Sequence, residues 1–298
     1  MLNKIIDKIY EKISTELENQ EISIEDVTKN NDTTKTALKI SEKTDSDNPV
    51  KTAALIYIDD YAKSIKEGDC SLDDATNNII RSYKNSLVTE IDDLVTNIAD
   101  FNSISDKIVY RLVNYEKNEN MLQDMPYDRF LDLAITYRIN YTAGNTNCSI
   151  NITNQALERW GVSKDIIRKL ADRNTEKYLQ FKIFDLHKFL SDIYMDINEE
   201  IDMYVATNKE NCNGASVLLY TMDEHNEIWN LAKEMDTDLY IIPSSIHEVI
   251  LVPIKDSLNK DDIVQMIKEV NTTVLDETDY LSDSLYLLEK DTGTIKIA

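Results

Sequence analysis

Leu239-Tyr240-Ile241-Ile242-Pro243-Ser244-Ser245-Ile246-His247-Glu248-Val249-Ile250-Leu251-Val252-Pro253-Ile254 is the stretch whose reading decides the fold. Two short apolar runs, Leu239–Ile242 and Val249–Ile254, flank a polar break. Each has the length of a strand, and together they read as an antiparallel pair. Pro243 presets its own φ and keeps Ile242 extended, so the break begins as a turn. A helix follows through Val270, capped by Asn259, with Asp262 in its first turn favouring the helix dipole.

Working outward, a strand-pair-then-helix order recurs around residues 108–175, 203–235 and 239–270. The first contains Ile108–Val113, a short helix near Asn118–Gln123, a strand Leu131–Ile139 paired with Cys148–Ile152, and helices at Asn154–Trp160 and Ser163–Thr175. A further helical pattern covers Asp185–Ile197. The second pairs Met203–Ala206 with Ala215–Tyr220, ahead of a helix through Trp229 to Met235. Ser284–Leu288 and Thr294–Ile297, joined at Asp291-Thr292-Gly293, make a closing hairpin.

Upstream, Leu2, Ile5, Ile6, Ile9, Ile13 and Leu17 form one face of an amphipathic helix. Three strands follow, at Ile22–Val27, Ala37–Ile40 and Ala53–Ile58, with Asn30-Asn31-Asp32 as a turn. Lys43–Lys51 reads as a loop. Gly68 closes a short helix, and Ser71 with Asp74 is a capping box for the next. Residues 1–100 then form a first domain and residues 101–298 a larger second one. The fold class is α+β, with mixed or largely antiparallel sheets and helices packed on them.

Composition limits the partners. Lys+Arg number 32 against 55 Asp+Glu, a net charge of -23. Residues 1–100 carry 12 basic and 21 acidic groups, residues 101–200 carry 13 and 15, and residues 201–298 carry 7 and 19. Such a surface repels nucleic acid and anionic lipid, which are bound by concentrated cations. No apolar run approaches the roughly 20 residues of a membrane helix. The amphipathic start lacks the unbroken apolar core of a signal peptide. Cys70, Cys148 and Cys212, odd in number and widely separated, read as reduced thiols of a cytoplasmic protein.

Reaction motifs are few. Ser245, His247 and Glu248 invite a nucleophile, a base and an orienting carboxylate. In an extended chain, however, His247 and Glu248 leave opposite faces. Ser245 and His247 share a face but stand about 6–7 Å apart, long for proton transfer. A local triad is therefore disfavoured, and Ser244 or Ser245 would have to act with groups from other strand ends. His187, His225 and His247 are isolated, and no Cys lies near another Cys or a His, so no metal site is indicated. Asp45-Ser46-Asp47 and Asp196-Ile197-Asn198 start like calcium loops but have Val50 and Ile201 where Gly is needed. With five glycines and no phosphate loop, no nucleotide cofactor is indicated. Further polar groups stand at strand or helix ends: Asn114, Tyr115, Asn118, Asn208, Asn271, Ser282 and Asp283. Turn and cap formation is the bland explanation for each; ligand binding at strand ends is the other.

Ile108–Asn118, Phe130–Ala134, Trp160-Gly161-Val162, Tyr204–Lys209, Leu239–Pro253, Glu269-Val270-Asn271 and Leu281–Ser284 resemble an uncharacterised family of Gram-positive gut bacteria. The resemblance spans nearly the whole chain, best from residue 106 onward. The family is a domain of unknown function, so the resemblance implies one architecture and a bacterial cytosol, but no activity, cofactor or catalytic residue. The element order is more distantly similar to a second uncharacterised bacterial family.

Two functional classes follow. The leading one is a non-catalytic protein that binds a protein or small-molecule partner through strand-end loops. The rival is a hydrolase-like enzyme with a site assembled around Ser244, Ser245, His247 and Asn208. A His247 lining a cleft beside a carboxylate from elsewhere would weaken the binding-only reading, and a His247 buried against apolar side chains with no pocket nearby would end the enzyme reading. Sixteen tyrosines also suit a homo-oligomer interface.

Overall fold

The computed structural model describes residues 2–43, 53–86, 98–143, 146–186, 202–220, 226–255 and 258–298. The chain divides into two compact units. The first comprises residues up to Lys29, Thr33–Ala99 and Thr142–Thr146. Helix α1 (Leu2–Glu16) turns Ile6, Ile9 and Ile13 into its core. Strands β1 (Gln20–Thr28), β2 (Thr34–Glu42) and β3 (Ala53–Tyr57) form an antiparallel meander. Leu38 and Ile40 of β2 meet that face of α1, together with Ala62 of α2 (Asp59–Glu67) and Ile79 and Tyr83 of α3 (Leu72–Ser86).

The local signals act as their chemistry requires. Gly68 closes α2 at φ 88°, a left-handed conformation that a glycine adopts without steric cost. Ser71 Oγ accepts from the Asp74 N–H at 3.1 Å and donates to its carboxylate at 2.6 Å. The Asn259 side chain accepts from the Asp261 N–H at 3.1 Å.

The second unit holds Asn30–Asp32, Asp100–Tyr141 and Asn147–Ala298. Its helices begin with α4 (Phe101–Ile104) and α5 (Glu119–Gln123). Strands β4 (Ile108–Asn114), β5 (Tyr127–Phe130), β6 (Leu133–Ala143) and β7 (Thr146–Asn151) form an antiparallel sheet in which β6 pairs with the other three. Helices α6 (Asn154–Trp160) and α7 (Lys164–Leu179) follow, and α7 lies along β4, where Thr175 Oγ1 accepts from the Tyr110 N–H at 2.9 Å.

The second sheet has six strands. These are β8 (Phe181–Asp185), β9 (Tyr204–Asn208), β10 (Leu239–Ile242), β11 (Val249–Pro253), β12 (Tyr286–Leu288) and β13 (Ile295–Ile297). Their order is β13-β12-β10-β11-β9-β8, with every pairing antiparallel. The unbroken apolar character of β10 has a simple cause, because the strand is covered on both faces. Leu239 and Ile241 enter one core with Ile228 and Ala232 of α8 (Glu227–Glu234). Ile242 enters another with Ile263 and Ile267 of α9 (Lys260–Thr273), and Tyr240 packs against it.

Three sequence-based expectations are corrected. Ala215–Tyr220 is not a strand; Gly214–Tyr220 forms a 3₁₀ turn, so no strand pair forms among the described residues of 203–235. Residues Ala215, Ser216, Val217 and Leu218 are all buried there, and a short apolar run carries no period that separates strand from helix. Leu131–Ile139 is not one strand but the β5–β6 turn and the start of β6, with Leu131 at φ 54°. Phe181–Asp185 is a strand where only a helix from Asp185 was expected; most of that helix, like most of the 43–51 loop, lies outside the described residues. Among the described residues, no helix is long and apolar enough to cross a membrane.

Ile241 is fully buried, so Ile241→Ala should lower stability by about 2–5 kcal/mol, read from the urea midpoint.

Candidate active site

Strand β9 ends in Asn208, which is fully buried and gripped to the chain four residues on. Its Nδ2 donates to the Cys212 carbonyl at 2.7 Å and its Oδ1 accepts from the Cys212 N–H at 3.3 Å. Asn208 is thus a side-chain clamp on the backbone of Cys212. On either side, Asn211 at φ 50° and Asn213 at φ 54° adopt the left-handed conformation, which asparagine tolerates better than most residues. The result is a tight turn that leaves the Cys212 residue exposed at its crest.

The turn is pressed against the β10–β11 loop. The His247 carbonyl accepts from the Gly214 N–H at 3.0 Å and from Thr207 Oγ1 at 2.7 Å. A Cβ on Gly214 would lie 2.4 Å from that carbonyl oxygen and 2.5 Å from Thr207 Oγ1, so only glycine fits. The Asn213 N–H donates to His247 Nδ1 at 3.2 Å, and Asn213 Nδ2 donates to Cys212 Sγ at 3.0 Å. On the far side of the ring, His247 Nε2 and Asp279 Oδ1 are 3.1 Å apart. With Nδ1 accepting, the ring proton sits on Nε2 and is donated to Asp279.

These contacts set the charges. Pairing with His247 holds the Cys212 thiol below its usual range, against the opposing effect of burial; the positive charges of Arg138 and Arg111 add to the lowering. His247 is raised, first by Cys212 and then by Asp279, with burial opposing. Each of the two thus favours the charged form of the other, and the charged thiolate is the form in which a cysteine is nucleophilic.

Of the residues singled out in the sequence, the structure brings Asn208, Ser245 and His247 together around Cys212. Ser245 is buried, and its Oγ accepts from the His247 N–H at 3.0 Å, which positions the loop rather than presenting a nucleophile. The carboxylate that holds His247 is Asp279; Glu248 takes no part in it. Asn114 and Asn118 stand one step behind. Asn114 donates to the Leu281 carbonyl at 2.9 Å, and Asn118 donates to Asn31 Oδ1 at 2.9 Å. Asn31 in turn donates to the Tyr280 carbonyl at 2.8 Å, so these asparagines hold the segment that carries Asp279. The Ser244 carbonyl accepts from the Leu281 N–H at 2.8 Å and closes the same segment from the other side.

The remaining candidates lie apart. Tyr115 packs its ring against Tyr127, with Arg129 over it at 3.5 Å. Ser282 donates to Asp132 at 2.6 Å, and Asn271 donates to Asp283 at 2.8 Å. Asp132 also accepts from Ser284 and Tyr286, so this cluster joins the β5–β6 turn to the approach to β12. His187, His225 and both calcium-like stretches lie outside the described residues. Among those described, no group of three His, Cys, Asp or Glu is arranged to hold a metal.

The model of a family of unknown function, DUF5688, matches residues 2–290. The chain belongs to that family. No curated protein and no solved structure matches it. The family assignment agrees with the resemblance to a family of unknown function read from the sequence, and it brings no reaction with it.

Sequence reasoning passed over Cys212, Asp279, Arg111 and Arg138. The available signal was Asn211-Cys212-Asn213-Gly214 directly after a strand, a run of turn-forming residues around one thiol.

Alkylation of Cys212 by iodoacetamide, followed by peptide mass spectrometry, should continue at pH values below the midpoint of about 8.5 for a free thiol. The rate follows the thiolate fraction, so His247→Ala, which removes the largest cause of the lowering, should move the profile upward. Gly214→Ala should slow alkylation at neutral pH by displacing the turn from His247.

Proposed function

We propose that this protein is a cysteine-dependent enzyme of the hydrolase or acyl-transfer class, with Cys212 as nucleophile. The observation that carries the reading is the arrangement of thiol, imidazole and carboxylate from three separate segments. A nucleophile, a base and an orienting group in that order make up the general device for activating a weak nucleophile. A protein that only binds a partner through ordered loops has no need of a thiol set against an imidazole and held between two left-handed asparagines. Non-glycine residues in that conformation concentrate where function requires a strained backbone.

In this scheme the Cys212 thiolate attacks an electrophilic carbonyl carbon and forms a C–S bond. The leaving group departs with the proton carried by the His247 imidazolium. Water, or an acceptor alcohol or amine, then gives its proton to His247 and attacks the thioester. The C–S bond breaks, and the thiol is restored. Asp279 does not exchange protons here; it is a positioning residue that holds the ring at Nε2.

Incubation with p-nitrophenyl acetate tests the reading. The expected result is a burst of nitrophenolate and a single acetyl adduct on Cys212 in the intact-protein mass spectrum. Cys212→Ser and His247→Ala should each suppress the burst by about 100-fold or more, the usual scale for a positioned base. Asp279→Asn should shift the pH profile of acylation, while Ser245→Ala should leave the Cys212 adduct in place. Acylation of Cys212 no faster than that of free glutathione, and indifferent to His247→Ala, would remove the enzymatic reading.

A further inference from the structure

Strand β4 carries Arg111 and β6 carries Arg138. The register pairs Arg111 with Thr136 and Val109 with Arg138. The two arginines are therefore diagonal neighbours on one face of the ladder, a spacing that long side chains bridge. Both Nε atoms are buried with no hydrogen-bond partner. The chain has 55 acidic side chains, yet neither arginine forms a salt bridge among the described residues. Each side chain is half-buried, but its buried Nε has no acceptor, and two like charges side by side add to the cost.

Their surroundings say what they face. Burial, and next the charge of Arg138, lower Arg111 to about 9, so it remains a cation at neutral pH. Cys212 and Asp279 act on it in the opposite sense, as Cys212 does on Arg138. The 3₁₀ turn that follows Cys212 packs against β4. Beside the thiol, Asn213 Oδ1 is also buried without a partner. Two guanidinium charges thus act on the thiol, and one orphan acceptor stands next to it in the chain.

We propose that Arg111 and Arg138 form an oxyanion pocket that anchors the substrate of Cys212 by a phosphoryl or carboxylate group. Planar guanidinium forks match both anions, and two full positive charges favour the doubly charged phosphoryl group. Asn213 Oδ1 is placed to accept from a hydroxyl or amide N–H of the same molecule. The inference rests on the cysteine reading for the word substrate, but the pocket itself does not need the thiol to react.

The experiment uses the full chain and titrates it with inorganic phosphate and, separately, with acetate, following heat by calorimetry and the alkylation rate of Cys212 in parallel. Phosphate should bind, slow the alkylation by bringing negative charge beside the thiolate, and raise the melting temperature. Acetate should do the same more weakly; acetate binding as tight as phosphate would assign the pocket to carboxylates. Arg111→Gln and Arg138→Gln should each weaken phosphate by about tenfold or more. Each should also melt close to the parent in phosphate-free buffer, since each removes one of two like charges side by side and a buried Nε without an acceptor. Cys212→Ser should still bind phosphate. That variant separates the two ideas, because binding in it with no Cys212 acylation in the parent keeps the pocket and discards the enzyme. No binding of either anion to the parent, or binding indifferent to both glutamine variants, would overturn the pocket. Should a glutamine variant not fold, Arg111→Lys keeps the charge but loses the fork, and weakened phosphate binding is again the expected result.

Discussion

The carbonyl oxygen of His247 accepts two hydrogen bonds from the end of β9 and the turn that follows it, and the candidate site depends on that crossing. Gly214 and Thr207 supply them, and the next bond, Ala215 N–H to the Ile246 carbonyl at 3.2 Å, zips the two segments together. An accepting carbonyl would otherwise be left unsatisfied in a buried place, so the two loops hold each other. Cys212 lies two residues before Gly214, and the His247 ring leaves the residue whose carbonyl is bound. Fixing the backbones therefore brings the thiol to the ring. Asp279 is brought by the same logic, since its own carbonyl accepts from the Ile246 N–H at 2.8 Å.

Around this crossing, polar groups are placed with unequal completeness. The asparagines at 31, 114, 118 and 208 are matched donor to acceptor, as buried amides must be. Asp132, receiving three hydroxyls, is equally well supplied. Arg111, Arg138 and Asn213 break that pattern within one neighbourhood. Two half-buried cations with unpartnered Nε atoms in the electrostatic surroundings of a thiol are in keeping with the anion pocket proposed above. The bias of the whole chain runs the other way, at -23, which makes a local positive centre in its interior a specific feature.

Much of the fold was legible because it rests on local chemistry. The caps at Ser71 and Asn259, the glycine stop at Gly68, the β1–β3 meander and the β10–β11 hairpin all declare themselves in residues close together in the chain. The errors fell where tertiary burial overrides period. Ala215–Tyr220 is apolar all round because it is packed all round, and an apolar run of that length suits a strand as well as a 3₁₀ turn. At the site, His247, Ser245 and Asn208 were visible as turn-placed polar residues. Cys212 was not, since a thiol acquires chemical meaning only from neighbours, and its neighbours are 35 and 67 positions away along the sequence, at His247 and Asp279.

By itself, the sequence determined that this is an α+β chain of antiparallel sheets, strongly acidic and without an apolar run fit to span a membrane. Those properties follow from composition, hydrophobic period and turn chemistry, which act over a few residues at a time. The tertiary structure alone decided which carboxylate serves His247, which of three cysteines is set against it, and that two arginines lie unpaired beside them. The reason is distance. Pairing, desolvation and pKa depend on groups within a few ångströms in space, and nothing local in the sequence records which distant segments the fold will bring into contact.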